Sequence, residues 1–234
     1  MPEWFVQLAG DPGDLETLCR ALSAPECGVT KDDQGVYLRS TQFEALSTAG
    51  EVHEAANQIV ERINSAAAVW EPDFQGVNVN AVITVNEQGN RKASVFGKAT
   101  ATGRARVHAY AYVVSAQGTP KPTGRSDLER SMALQKANQS VTMALDIFRI
   151  NQTWPGYYKV LEAIQEAVGG PPGIQKMGWA TGNEVERFEQ SAQTGRHFRY
   201  KTPKKRMSLE EGRAFIRDLL AKWIEWEVSN MSRK

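Results

Sequence analysis

Polar and apolar residues alternate over positions 4–9, where Trp4, Val6 and Leu8 share one face. This predicts a first strand, ended by the Gly-Asp-Pro-Gly turn at 10–13. Asp14 stands where it would cap a short helix reaching Leu22, with Leu15, Leu18, Cys19 and Leu22 along one side. Two short strands follow at 28–30 and 35–40, joined by the polar turn 31–34, and positions 41–46 carry no period long enough to assign. The stretch 51–69 is a helix by its stripe of Val52, Ala55, Ala56, Ile59, Val60 and Ile63, opposed by Glu54, Gln58, Glu61 and Arg62. Such a helix covers a sheet. Alternation returns when Val77, Val79, Ala81, Ile83 and Val85 interleave with Asn78, Asn80, Val82, Thr84 and Asn86, the pattern of a strand buried on one side. A Gly-containing turn at 87–90 and two further strands, 92–102 and 104–115 with a break at Gly103, complete a three-stranded antiparallel meander.

The pattern then changes. QGTPKPTG at 117–124 holds two prolines and two glycines in eight residues, which continue neither strand nor helix. A domain boundary is expected there, giving an α+β domain at 1–116, a linker at 117–125 and a helical domain at 126–234. Ser126 and Glu129 have capping-box spacing, and Leu134, Ala137, Val141, Leu145 and Phe148 extend a stripe to about Asn151. Pro155 suits the first turn of a second helix at 157–168, stopped by Gly169, Gly170, Pro171 and Pro172. A third, shorter helix starts at Asn183, with Glu186 three residues on, and ends near Ala192. The fourth spans 208–228, with Ser208 and Glu211 as a capping box and Phe215, Ile216, Leu219, Leu220 and Trp223 as its buried stripe. Trp223 and Trp226 lie about one turn apart, as core anchors or as part of a partner surface. The expected class is α+β: an N-terminal antiparallel sheet with one or two covering helices, followed by a four-helix C-terminal domain.

Composition bounds what these elements do. With 41% hydrophobic and 24% charged residues and a mean hydropathy of -0.46, the 234-residue chain is of ordinary globular type. Its longest uncharged apolar runs, 66–70 and 109–114, fall far short of the roughly 20 residues that span a bilayer, so no membrane partner is expected. MPEWFVQLAG has no basic leader, and a cytoplasmic location follows as the expectation. Cys19 and Cys27 form no CxxC pair and are expected to be reduced thiols.

The chain carries no GxxxxGK[ST], GxGxxG after a strand, HExxH or GxSxG, and His53, His108 and His197 are far apart with no cysteine pair beside them. No cofactor and no metal are expected. His53 should face solvent at the edge of its helix. In the strand 104–115, Arg104, Arg106, His108, Tyr110 and Tyr112 share a face, which either stacks bases and holds phosphates or is an ordinary sheet surface.

The strongest lead is charge. Net charge is +1 over the whole chain, yet 196–206 holds six Lys/Arg, His197 and no acid, with Phe198 and Tyr200 set between the cations. Arg196, Arg199, Tyr200, Lys201, Lys204, Lys205 and Arg206 are therefore candidate nucleic-acid contacts, positioning a phosphate backbone without reading sequence. The bland alternative is a solvated loop, or one neutralised by acids of another subunit or of the N-terminal domain.

Phe188, Ser191-Ala192, Arg196-His197, the run Met207-Ser208-Leu209-Glu210-Glu211 and Trp223 together resemble the C-terminal end of a group of uncharacterised bacterial proteins. The helix count and the Arg-His pair before the last helix are also similar to HEPN-like domains, which include RNases of toxin and phage-defence systems. The resemblance covers about the last third of the chain. It implies a bacterial, dimer-forming helical domain in which Arg196 and His197 would be the catalytic pair of a metal-independent ribonuclease. In that case His197 would act as general acid or base while the 2′-hydroxyl attacks in line, and Arg196 would stabilise the charge built on phosphorus. The HEPN RNase motif separates its Arg and His by several residues, whereas here the two are adjacent. Two functions stay open: a binding or assembly module that contacts RNA or DNA, a protein or a second copy, and the ribonuclease.

Overall fold

The computed structural model describes residues 3–86, 90–96, 126–194 and 206–231. Outside them lie the predicted strand 104–115 with its Arg104, Arg106, His108, Tyr110 and Tyr112 face, positions 97–102 of the strand before it, and the linker 117–125. The architecture is α+β, as expected. Strands β1 (Glu3–Gly10), β2 (Ser23–Ala24), β3 (Cys27–Asp32), β4 (Gly35–Ser40), β5 (Val77–Val85) and β6 (Arg91–Ser94) form an antiparallel sheet in the order β2-β3-β4-β1-β5-β6. Helices α1 (Pro12–Ala21) and α2 (Ala49–Trp70) cover one face, and a 3-10 turn occupies Thr41–Ala45.

Local capping differs from the expected pattern at the first helix. Asp11, not Asp14, is the N-cap of α1, accepting from the Gly13 amide at 2.8 Å with Pro12 in the first turn. Asp14 reaches across the fold. It is 7% exposed, and its carboxylate accepts from the amides of Gln75 (2.8 Å) and Gly76 (3.0 Å). These are the last residues before β5, and Gly76 has a φ of 105°, which only glycine adopts without strain. Asn64 of α2 holds the next residue, accepting from the Val77 amide at 3.0 Å and donating to the Val77 carbonyl at 2.9 Å.

β5 is also less regular than its alternation predicts. Gln7 pairs with Ala81 and Leu8 with Val79, so Asn80 is an extra residue, a β-bulge. Val77 and Val79 lie on the helix-covered face with Val6 and Leu8, but beyond the bulge that face takes Val82. Ala81, Ile83 and Val85 turn to the opposite face, beside Phe5 and Tyr37. The bulge thus moves the predicted set to both sides of the sheet. Arg39 lies over the Phe5 ring at 5.3 Å and Arg91 over Tyr37 at 5.6 Å.

Helix α2 is the element on which both halves of the core rest. A Thr48–Glu51 capping box starts it, and the expected stripe is buried except for the half-exposed Ala55. From Asn64 to Val69 every residue is buried. Ala66 and Ala67 join the sheet-side cluster, while Ala68 and Val69 join the cluster of the helical half. Small side chains permit that close approach on two sides, so this end of α2 has no solvent stripe. His53, near its start, is half-buried and stacks on Phe96 with ring centroids 4.3 Å apart, where a solvent-facing side chain was expected.

From Ser126 onward the described residues form six helices: α3 (Asp127–Ala137), α4 (Gln139–Ile150), α5 (Trp154–Val168), α6 (Pro171–Lys176), α7 (Gly182–Thr194) and α8 (Leu209–Met231). The single helix expected to run to Asn151 is two. Asn138 is at once the C-cap of α3 and the N-cap of α4, with φ -132° and ψ 103° and its side chain accepting from the Val141 amide at 3.2 Å. The break leaves Ala137 exposed. Gly169 ends α5 in the left-handed conformation at φ 84°, as the Gly-Gly-Pro-Pro sequence predicts, and the short α6 follows it directly. The box of α7 is Thr181 with Glu184, two residues before the expected Asn183 with Glu186.

Polar contacts tie α2 to the helical half. Ser65 Oγ donates to Asp146 at 2.6 Å and accepts from Arg149 Nε at 3.0 Å, while Arg149 also pairs with Glu61. Trp70 Nε1 donates to Ser131 Oγ at 2.8 Å. Leu128 and Met132 of α3 in turn join the sheet-side cluster. Among the described residues no helix is long and apolar enough to cross a membrane.

Candidate nucleic-acid interface

Of the predicted contacts, Arg196, Arg199, Tyr200, Lys201, Lys204 and Lys205 lie outside the described residues, as does His197; Arg206 lies within them and is exposed. What the structure defines is the base from which the basic segment departs and to which it returns. α7 carries the chain out and α8 carries it back.

Three rings hold these helices together. Phe188 of α7 is fully buried, with its centroid 5.7 Å from that of Trp154 and 5.4 Å from that of Phe215. Gly212 lets α8 meet Trp154: a Cβ there would stand 2.6 Å from the indole ring. Trp223 lies in the same core at 0% exposed, and Trp226 meets Trp179 edge to face at 6.3 Å. Trp223 is thus a core anchor.

Hydrogen bonds close the base. The Met207 amide donates to Ser191 Oγ at 2.9 Å, and that hydroxyl donates to the Arg187 carbonyl at 2.8 Å. Arg187 Nη2 donates to the Arg206 carbonyl and to Glu211 Oε1, each at 3.3 Å. Met207 is buried directly beside the exposed Arg206. Ser208 starts α8 by accepting from the Glu211 amide at 3.1 Å, and its own amide donates to Glu211 Oε2 at 2.6 Å. That amide bond, reinforced by Arg187, holds the Glu211 carboxyl below the usual carboxylate range. The Glu211 carboxylate is thus engaged by the cap at Ser208 and by Arg187.

Sequence reasoning identified Ser208 and Glu211 but not the part played by Arg187 and Ser191; the spacing of 16 residues between Ser191 and Met207 carries no local signal. It also missed a second cluster of polar groups. Arg149, Gln152 and Arg213 line a cleft of about 460 Å³ between α2, the turn before β5, the end of α4 and the start of α8. Cys19 and Cys27 are both free thiols, pushed up by burial. No family model, curated protein or solved structure matches the chain.

Proposed function

We propose that the chain is a binding module that contacts nucleic acid through the basic segment 196–206. The observation that carries this reading is the segregation of charge: six cations stand together in a chain of net charge +1, and Glu211, in the helix turn to which the segment returns, is already engaged by Ser208 and Arg187. Phosphates of a flexible strand suit such a segment, because lysines and arginines follow a backbone without a fixed register, and Phe198 and Tyr200 offer rings on which bases stack. The anchored base at Ser191 and Met207 limits the entropy lost on binding by fixing where the segment starts and ends.

Fluorescence anisotropy with a labelled single-stranded RNA and its DNA counterpart tests this. The K204A/K205A/R206A variant should bind both at least about tenfold more weakly in moderate salt. Equal affinity in wild type and variant refutes it.

The alternative is a metal-independent ribonuclease of a toxin or phage-defence system on a HEPN-like helical domain, resting on the Arg196-His197 pair before the last helix although its adjacency departs from that family's spacing. It is read from the same RNA by incubation in EDTA. Cleavage by wild type that disappears in a His197→Ala variant would replace the binding reading with the enzymatic one, and intact RNA in both removes the ribonuclease.

A further inference from the structure

The cleft between the sheet layer and the helical half is walled by Glu61 and Asn64 of α2, Asn78 of β5, Arg149 and Gln152 at the end of α4, and Arg213 of α8. Four separate parts of the chain contribute, so this is a built cavity and not a groove along one helix. Among the described residues that line it are two guanidiniums and one carboxylate, that of Glu61.

The two arginines are in different states. Arg149 is engaged by Glu61 and Ser65, and it joins the layers. The Asn64 amide is likewise committed, to both backbone groups of Val77. Arg213 forms no ion pair among the described residues. Its Nη1 donates to Gln152 Oε1 at 3.2 Å, and its guanidinium carbon lies 5.7 Å from the centroid of the Phe148 ring. One donor out of a guanidinium's five is thereby used. A half-buried cation oriented by an amide and an aromatic face, with donors to spare at the wall of the cleft, is preorganised for an oxyanion.

Size narrows the ligand. About 460 Å³ exceeds what an inorganic ion fills and falls within the roughly 300–1,000 Å³ of small-molecule sites. The half-buried Phe74 in the wall adds an apolar surface for a flat group beside the charged end. We propose that this cleft binds a phosphate-bearing small molecule of mononucleotide size, with Arg213 as its phosphate ligand. None of the described residues that line the cleft belongs to the basic segment.

Calorimetric titration of the full chain with adenosine 5′-monophosphate, and with adenosine alone, tests the assignment. The monophosphate should bind and adenosine should bind at least about tenfold more weakly, since charge-assisted bonds to the phosphate supply the difference. Arg213→Gln should weaken the monophosphate by about 10- to 100-fold, and Arg213→Lys by less. Asn78 is exposed at the rim, so Asn78→Asp leaves the core intact and should weaken binding about fivefold through repulsion alone. It remains decisive even where Arg213→Gln fails to fold. K204A/K205A/R206A should bind the monophosphate as wild type does, which separates this site from the strand-binding reading. No binding of the monophosphate to wild type, equal binding of adenosine, or undiminished binding in Asn78→Asp overturns the proposal.

Discussion

Asn64→Ala is the most informative single perturbation of the fold. Asn64 is 5% exposed and sits in the doubly packed part of α2, where its side chain acts as one more strand residue toward Val77. Alanine has good helix propensity, so α2 itself is not weakened. The cost falls on the Val77 N–H and C=O, which lose these partners in a residue 1% exposed. At about 1–3 kcal/mol for each buried group left unsatisfied, and some relaxation toward water in the neighbouring cleft, the loss should be about 2–4 kcal/mol. For a chain of this length that lowers the melting temperature by about 5–15 °C. Thermal and urea unfolding followed by circular dichroism measure it, and a shift below about 2 °C would show that the bonds to Val77 do not hold the layers as described. Asn64→Asp adds a check of sign. The aspartate can accept from the Val77 N–H, but it bonds the carbonyl only when protonated. Its folded pKa should therefore stand above the ordinary value of about 3.9. The stabilisation is full below that value and lost as pH rises through the folded pKa. The variant's deficit against wild type should be smaller at pH 4 than at pH 7.

Other expectations follow from the same contacts. Gly212→Ala places a Cβ 2.6 Å from Trp154, and the displacement should cost about 1–3 kcal/mol in urea unfolding. Ser191→Ala removes the partner of the Met207 amide, and hydrogen exchange at that amide should quicken about tenfold or more. Glu51, Glu184 and Glu211 are held below the usual carboxylate range by their caps at Thr48, Thr181 and Ser208. The stability they contribute is present above the ordinary glutamate value of about 4.3 and lost as pH falls through their lower folded values. Glu211→Gln, which still accepts from the Ser208 amide, should therefore lose less stability than wild type between pH 7 and pH 3 in urea titrations.

The elements legible in the sequence are those whose signals are local. The Ser126–Glu129 and Ser208–Glu211 boxes, the stop at Gly169, the hairpin of β3 and β4, and the first three turns of α2 each follow from residues within a few positions of one another. The bulge at Asn80 does not, because Val82 and Ile83 are both apolar and the alternation reads equally well in either register. Asn138 breaks its helix without glycine or proline, by capping in both directions. Asp11 and Asp14 are chemically alike as caps, and what separates them is the β5 entry turn that Asp14 meets 61 residues away. For the same reason the cleft is invisible in one dimension: Glu61, Arg149 and Arg213 read as exposed positions of three different helices until packing joins them. The basic segment is the reverse case, plain in composition and, among the described residues, tied to the fold through Ser191, Arg187 and Met207.

The most direct test of the central claim, that 196–206 neutralises phosphates, is the slope of log affinity for single-stranded RNA against log salt concentration. Each phosphate engaged on a single strand contributes about -0.7 to that slope. Removing Lys204, Lys205 and Arg206 should make the slope shallower by about 2. Identical slopes for wild type and variant would contradict the account, because cations that release no counterions are not in contact with the strand.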